Sequence, residues 1–198
     1  MILKNTKLQN SLKEIIKNNN DIEDILIFGS SVRGKEKVDD LDILVLFKTK
    51  IDKNIEYAIR KELEKHYNKI AIISKTIKTS VDQSFDARES ILFEGFSLIS
   101  GDNLAKKYGF SSLGMFKYNF NGWNKLRKTK FYHAFNGRKG KCGIADLLNC
   151  IKLSNNLLLS PLDKIEHVKE FLESWKMNYV YIPIIIPQRL NKKNILQG

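Results

Sequence analysis

The sequence predicts an α/β (α+β) protein with two small domains, and three observations support this fold class. Short apolar runs of strand length alternate with stretches whose apolar residues recur at helical spacing. A stretch that mixes Gly and Ser, 109–114, coincides with a change in the charge balance. The chain then ends in a strand, an amphipathic helix and a strand, which form a small unit with its own core. We therefore expect a small mixed-sheet domain with flanking helices over 1–110 and a small α/β domain over 111–198.

Periodicity and capping residues place the elements of the first domain. Leu8 and Leu12 recur at helical spacing after Thr6, which suits a helix N-cap. Gly101 is typical of the residue that ends a helix. The predicted helices cover 6–18, 52–67, 86–99 and 103–108, a further helix starts at Ser30, the predicted strands are Ile25–Phe28, Leu41–Phe47 and Lys69–Ser74, and 75–84 is expected to be a loop.

The second domain contains one strongly patterned helix near its end. Ser160 followed by Pro161 is typical of a helix start, and an apolar stripe runs from Ile165 to Trp175. The other predicted elements are a helix over Asn124–Asn136, a basic glycine-rich loop over Gly137–Gly143, a short helix over Ile144–Leu148, strands over Leu157–Leu159 and Tyr179–Ile186, and a frayed tail from Gln188 to Gly198.

Composition places the chain among globular proteins. Apolar residues make up 42% of its 198 residues and aromatic residues 10%, which suffices for a packed core and excludes a disordered chain. No apolar run has the length needed to span a bilayer, and the N-terminal residues lack the hydrophobic core of a secretory signal. Cys142 and Cys150 have no metal-ligand spacing around them and are expected to be structural thiols. We expect a cytoplasmic protein without a membrane partner.

Positive charge is concentrated in the second domain. The formal net charge of the chain is +12. Residues 1–114 hold 19 basic and 17 acidic side chains, whereas residues 115–198 hold 15 basic and 5 acidic ones. Ten basic residues and no acidic residue lie between Asp102 and Asp146. An imbalance of this size indicates a polyanionic partner.

The basic stretch over 117–141 has the composition of a segment that binds RNA. Seven Lys or Arg residues over 125–141 are interleaved with Phe131, Tyr132 and Phe135. Cations can bind phosphates, and aromatic rings can stack on bases. The alternative is a solvated basic face whose aromatic residues belong to the core, and helices of mixed polarity usually bury such residues. We expect the aromatic residues in the core and RNA as the partner of the cations.

The segment from Phe28 to Asp42 combines the residue types that hold a metal-bound polyphosphate. Gly29 has no Cβ and lets the backbone approach a phosphate, and Ser30 suits a helix start whose N–H groups bind anions. Asp40 and Asp42 alternate along the next predicted strand and therefore point to the same face. Two neighbouring carboxylates repel each other unless a cation lies beside them, and Mg²⁺ prefers such oxygen ligands.

Each half of this motif also has an ordinary structural interpretation. A Gly-Ser pair is typical of a turn, and Asp39 to Asp42 could be an acidic turn at the start of a strand. Either interpretation suffices for one half alone. Both halves at this spacing, between two apolar runs, favour the phosphate and metal site.

The segment resembles the signature of the nucleotidyltransferase superfamily typified by DNA polymerase beta, and above all its minimal prokaryotic members. That signature is a Gly-Ser pair, often followed by Arg and Gly, with an Asp-x-Asp further along the chain. The similarity covers roughly residues 20–75. It implies that the Gly-Ser pair contacts a nucleoside triphosphate and that both Asp residues bind catalytic metals. The matching residues here are Gly29, Ser30, Arg33, Gly34, Asp40 and Asp42.

One part of the family pattern has no counterpart in the sequence. The family has a third carboxylate on a later strand, where it helps to bind metal and to orient the attacking hydroxyl. The next predicted strand, Lys69–Ser74, contains no acidic residue. Asp82, Asp86 and Glu94 follow it, and the sequence favours none of them as the third carboxylate.

The resemblance implies transfer of a nucleoside monophosphate from a triphosphate to a hydroxyl group. Mg²⁺ or Mn²⁺ would be the cofactor and ATP is the expected triphosphate, held by Gly29, Ser30 and Arg33, with Asp40 and Asp42 as the catalytic metal ligands. The acceptor stays open between RNA, a protein side chain and a small molecule. The alternative is a weak or inactive transferase scaffold that binds nucleic acid or protein. A third possibility, modification of a companion protein in a toxin–antitoxin pair, rests on family analogy.

Overall fold

The computed structural model describes residues 6–35 and 40–190. The chain divides into two compact units, Met1–Tyr108 and Gly109–Gly198. Both units combine helices with a four-stranded sheet, so the predicted α/β (α+β) class is confirmed.

The first unit is a mixed sheet with helices around it. Its strands follow the order β3-β2-β1-β4, in which β2 and β3 run parallel and the other neighbours antiparallel. The elements are α1 (Thr6–Asn18), β1 (Ile22–Phe28), β2 (Leu41–Phe47), α2 (Lys53–Glu64), β3 (Ile70–Thr76), α3 (Ile77–Ser80), α4 (Arg88–Glu94), β4 (Phe96–Ser97) and α5 (Leu104–Lys107).

Burial explains why the two apolar runs of the first unit form its central strands. Both faces of β1 and β2 are buried, as expected for strands with nearly continuous apolar sequences. On the face that also carries Asp42, Leu26 and Leu44 pack with Phe85 and with Ile91 of α4. This packing brings the end of α4 close to the carboxyl end of β1.

The helix predicted over 86–99 is shorter in the structure. It ends at Glu94, and Phe96–Ser97 instead pairs with β1 as strand β4. Gly95 leaves the helical conformation, and a Cβ there would lie 2.3 Å from the carbonyl oxygen of Ile91. The loop predicted over 75–84 contains the end of β3 and the short helix α3.

The second unit is an antiparallel sheet with strand order β10-β5-β9-β8. A separate two-stranded hairpin, β6-β7, follows its first helix. The elements are β5 (Phe110–Asn119), α6 (Lys125–Asn136), β6 (Gly137–Arg138), β7 (Lys141–Cys142), α7 (Ile144–Leu147), β8 (Ile151–Ser154), β9 (Leu157–Pro161), α8 (Ile165–Ser174) and β10 (Asn178–Pro187).

Aromatic side chains form the core between α6, α8 and this sheet. Phe131 and Phe135 of α6 are buried and stack with a centroid separation of 5.4 Å. Phe131 also contacts Phe171 and Trp175 at the end of α8, and Trp175 stacks on Trp123. The prediction that the aromatic residues of the basic stretch belong to the core is therefore confirmed for Phe131 and Phe135.

Two predictions for the second unit are wrong, and some of its strands were not predicted. At the boundary predicted over 109–114, the second unit begins with Gly109 and strand β5 begins at Phe110. Ser160 does not cap a helix, because it is buried in β9, and the α-helix starts at Ile165. Residues 137–143 form a hairpin rather than an open loop. Strand β8 was not predicted.

The two cysteines differ in their environments. Cys150 is buried, which raises its thiol pKa to about 11 and fits a structural thiol, whereas Cys142 is exposed. The predicted frayed tail from Gln188 begins with a 3₁₀ turn over Gln188–Leu190, and the rest of it lies outside the described residues. In the part of the chain that the structure describes, no helix has the length and apolar character needed to cross a membrane.

Candidate active site

The pairing of β1 with β2 brings Gly29 into contact with Asp42. Phe28, the last residue of β1, lies opposite Asp42 in the antiparallel register, and Gly29 follows it directly. A Cβ placed on Gly29 would lie 2.4 Å from Oδ2 of Asp42. Gly29 also has a φ of +79°, a conformation that glycine adopts readily. Only glycine therefore fits between the turn and this carboxylate.

The Gly-Ser corner is a single turn of 3₁₀ helix over Gly29–Ser31. The prediction of a helix starting at Ser30 is wrong in this respect, and the corner lacks the dipole of a long helix. Ser31 is buried, and its hydroxyl donates to the carbonyl oxygen of Phe28 at 3.1 Å. Ser30 is partly exposed and is the hydroxyl of the corner that a ligand can reach.

Asp40 lies close enough to Asp42 to influence the charge of Asp42. Asp42 is half-buried in β2, and Asp40 is exposed one residue before that strand. Burial raises the pKa of Asp42, and the negative charges of Asp40 and then Glu94 raise it further, while Arg33 opposes them. The structure thus gathers both predicted aspartates and the Gly29 corner in one place, with Arg33 beside them.

Among the three candidates for the third carboxylate, only Glu94 acts on Asp42. On the neighbouring strand β3, Ala71 lies beside Asp42 and is exposed, and no acidic residue occurs in Ile70–Thr76. Asp82 and Asp86 are exposed and precede α4. The acidic group that joins Asp40 and Asp42, Glu94, therefore comes from the end of a helix and not from strand β3.

Glu94 connects the Gly-Ser corner to α4. Its Oε1 accepts the backbone N–H of Gly29 at 2.9 Å, and its Oε2 pairs with Nη1 of Arg33 at 2.5 Å. The side chain is buried at the C-terminal end of α4, where the helix dipole disfavours a negative charge. The N–H of Gly29 and the guanidinium of Arg33 offset that cost. Glu94 thereby fixes the two groups that the sequence assigned to a phosphate.

Residues 10–102 match the family model described as "Polymerase beta, Nucleotidyltransferase". This stretch is therefore similar to the polymerase-beta-type nucleotidyltransferases. The matched region extends past the 20–75 that carried the sequence resemblance, and it includes Glu94. Every site residue described above therefore lies inside the matched region. The second unit lies outside the match.

Comparisons with whole proteins identify neither a substrate nor a partner for this chain. Among solved structures, a mutant of the toxin–antitoxin pair MntA–HpeT is similar at 15% identity with a TM-score of 0.35. The similarity covers 46% of this chain and 71% of that chain. No curated protein matches this chain. A similarity at this level carries no argument about substrate or partner.

The donor set of this site suits a metal that arrives with phosphates. Within 6–35 and 40–190, no group of three or more His, Cys, Asp or Glu side chains is arranged to hold a metal ion. Both oxygens of Glu94 are bonded to Gly29 and Arg33, which leaves Asp40 and Asp42 as donors. Mg²⁺ is commonly bound by one or two carboxylates together with substrate phosphates. Burial and then the negative charges of Asp40 and Glu94 raise the pKa of Asp42, and a bound cation would oppose the effect of those charges.

Replacing Glu94 by glutamine is expected to lower the pKa of Asp42, because a negative charge beside that carboxyl disappears while Arg33 stays. Loss of the charge-assisted bonds should also cost about 1–3 kcal/mol of stability. An NMR titration of the Asp42 carboxyl in the metal-free protein measures the first effect, and urea unfolding the second.

Glu89→Gln is the matched control for this substitution, since Glu89 is exposed on the same helix. It should leave the titration of Asp42 unchanged. An identical titration of Asp42 in the Glu94→Gln variant and the wild type would contradict the proximity of the two carboxyl groups.

Proposed function

We propose that the protein transfers a nucleoside monophosphate from a nucleoside triphosphate to a hydroxyl acceptor. The observation that carries this proposal is the contact between Gly29 and Asp42. In this contact the Gly29 corner, which a phosphate can approach, lies against the carboxylate of Asp42, which suits a metal. The nucleotidyltransferase match over 10–102 supports the same reaction class.

Each residue of the site has a role in this proposal. Asp40 and Asp42 hold Mg²⁺ or Mn²⁺, and Gly29, Ser30 and Arg33 hold the triphosphate, with ATP as the expected nucleotide. The acceptor oxygen forms a bond to the α-phosphorus as the bond to the β-phosphate breaks, and pyrophosphate and a proton are released. When bound, the metal supplies charge neutralisation for the phosphates and for the attacking and leaving oxygens.

Glu94 is a positioning residue in this proposal. It holds the guanidinium of Arg33 and the backbone of Gly29 in a fixed relation to Asp42. A triphosphate then meets a guanidinium and a glycine corner whose positions are already set, which lowers the entropic cost of binding.

Incubation with α-labelled nucleoside triphosphates, total RNA and Mg²⁺ tests the reaction. Asp40→Asn should reduce label transfer by about 100-fold or more, since metal stabilisation of the transition state contributes several kcal/mol. Asp86→Asn is the matched control, because Asp86 is exposed and does not act on Asp42. Equal transfer by the wild type and the Asp40→Asn variant would refute the proposed mechanism.

A second candidate function is a binding module on an inactive transferase scaffold. The exposed Ala71 beside Asp42 favours it, because that place on β3 carries no carboxylate. Such a protein would bind nucleotide or nucleic acid without transferring label. The excess of positive charge over 117–141 makes RNA the favoured partner in this case and the favoured acceptor in the first. We propose the cytoplasm as the site of either function.

A further inference from the structure

A short hairpin between α6 and α7 presents basic residues at its tip. Strands β6 and β7 pair Gly137 with Cys142 and Arg138 with Lys141. Lys139 and Gly140 make the connection, with φ values of 48° and 81°. Two successive residues with positive φ are characteristic of the tight type I′ turn of a two-residue hairpin. The chain therefore reverses within two residues, and three of the four residues at the tip are cationic.

Two glycines close the base of this hairpin against the end of α6. A Cβ on Gly137 would lie 2.0 Å from the carbonyl oxygen of Lys141, and a Cβ on Gly143 would lie 2.2 Å from that of Phe135. Neither position accepts a side chain without movement of the backbone. The base of the hairpin is consequently closely packed.

The hairpin is a basic surface whose cations form no ion pair within the described part of the chain. Arg138, Lys139 and Lys141 are exposed, and none of them makes an ion pair with another residue that the structure describes. Lys152 adds a fourth cation at the base, where its Nζ donates to Oδ1 of Asn136 at 2.7 Å. Asn136 directly precedes the hairpin, so the four cations share one region of the second unit.

The two phenylalanines of α6, which precedes the hairpin, are not available for stacking on bases. Phe131 and Phe135 are buried at 0% and 2% exposure. Tyr132 is half-buried and packs against Phe120 and Phe131. Binding by this surface must therefore depend on the cations and on phosphate, whose charge is independent of base sequence.

We propose that the hairpin over Gly137–Cys142 binds the phosphodiester backbone of a single nucleic-acid strand and does not read its bases. The inference goes beyond nucleotide transfer, because a protein that transfers nothing can still bind a strand in this way. If RNA is the acceptor, the hairpin supplies its binding site.

Fluorescence anisotropy with the full-length protein tests the proposal. The probes are labelled single-stranded RNA and DNA of equal length and mixed sequence, titrated at several salt concentrations. Replacing the three tip cations together (Arg138→Gln, Lys139→Asn, Lys141→Gln) should reduce the slope of log K against log salt by about 2, because each phosphate contact to a single strand contributes about 0.7. Asparagine is chosen at Lys139 because it tolerates a positive φ.

A control variant separates the hairpin from net charge. Lys48→Gln, Lys50→Gln and Lys78→Gln remove three exposed cations from the first unit and should leave the slope unchanged. A circular dichroism melt like that of the wild type establishes that the hairpin variant is folded, and Arg138→Gln alone should reduce the slope by about 0.7.

Three results would overturn the proposal: no salt-dependent binding by the wild type, an equal loss of slope in the control variant, or a preference above about tenfold for either sugar or for one base composition. The Asp40→Asn variant should bind the strand like the wild type. Loss of transfer and loss of strand binding are thus measured separately, and failure of one proposal is distinguishable from failure of the other.

Discussion

Replacing Asp42 by asparagine is expected to abolish nucleotide transfer and to raise the melting temperature of the metal-free protein. Burial and the charges of Asp40 and Glu94 raise the pKa of Asp42 above its ordinary value of 3.8. The native state therefore binds this proton more tightly than the unfolded state. Stability falls as the pH rises from the ordinary value through the raised one, and the deficit persists at neutral pH. Asparagine removes this deficit, and the melting temperature should rise by about 2–4 °C for each kcal/mol of stability recovered.

Melting curves followed by circular dichroism, with EDTA or with Mg²⁺ and a triphosphate, measure this effect. The ligands should raise the melting temperature of the wild type and have little effect on Asp42→Asn. Transfer by the wild type should fall as the pH is lowered through the raised pKa of Asp42, because a protonated carboxyl does not hold the metal. Asp86→Asn serves as the control with unchanged melting. A metal-free Asp42→Asn variant less stable than the wild type would contradict the repulsion at the site.

Replacing Gly29 by alanine is expected to reduce transfer by about 100-fold or more and to destabilise the first unit. Two costs combine at this position. The φ of +79° disfavours any residue with a Cβ by about 1–2 kcal/mol. The new methyl group would also lie 2.4 Å from Oδ2 of Asp42, so the turn or the carboxylate must move. A displaced metal ligand loses the alignment on which transfer depends.

Gly101→Ala isolates the backbone cost of this substitution. Gly101 has a φ of +72°, and a Cβ there would meet nothing within 4 Å. Alanine at this position should cost about 1–2 kcal/mol and leave transfer intact. Urea unfolding and transfer rates of the two variants give the comparison. Equal effects of Gly29→Ala and Gly101→Ala on both quantities would show that contact with Asp42 is unimportant.

The central strands and the Gly-Ser corner could be predicted because their signals are local. Strand β2 spans Leu41–Phe47, as the apolar run predicted, and β1 and β3 differ from prediction only at their ends. An apolar run buried on both faces needs no distant information to be recognised. The contact between Gly29 and Asp42 then follows, because β1 and β2 pair antiparallel and Phe28 lies opposite Asp42.

The role of Glu94 could not be predicted, because its partners are distant in the sequence. Its bonds to Arg33 and Gly29 span 61 and 65 residues. The position of Glu94 inside a predicted helix gave no sign that α4 ends there, although Gly95, which follows it, leaves the helical conformation. Only the folded chain shows this acid beside Asp42.

Strand β5 was not predicted, because the glycine within it is required by a tertiary contact and not by a turn. Gly114 lies in the middle of this strand, where a Cβ would be 2.8 Å from Cγ1 of Ile165 in α8. The glycine lets α8 approach the sheet and does not break the chain. With two serines before it, the same residue resembles a boundary when only the local sequence is considered.

The position of the tryptophans determines which optical signals report on which half of the protein. The chain has two tryptophans, Trp123 and Trp175, and both belong to the aromatic core of the second unit, where they stack on each other. Emission excited at the indole band consequently follows the loosening of that core alone. Unfolding of the first unit, which contains Asp40 and Asp42, has no tryptophan to report it, and an introduced indole on α1 or α2 would supply one.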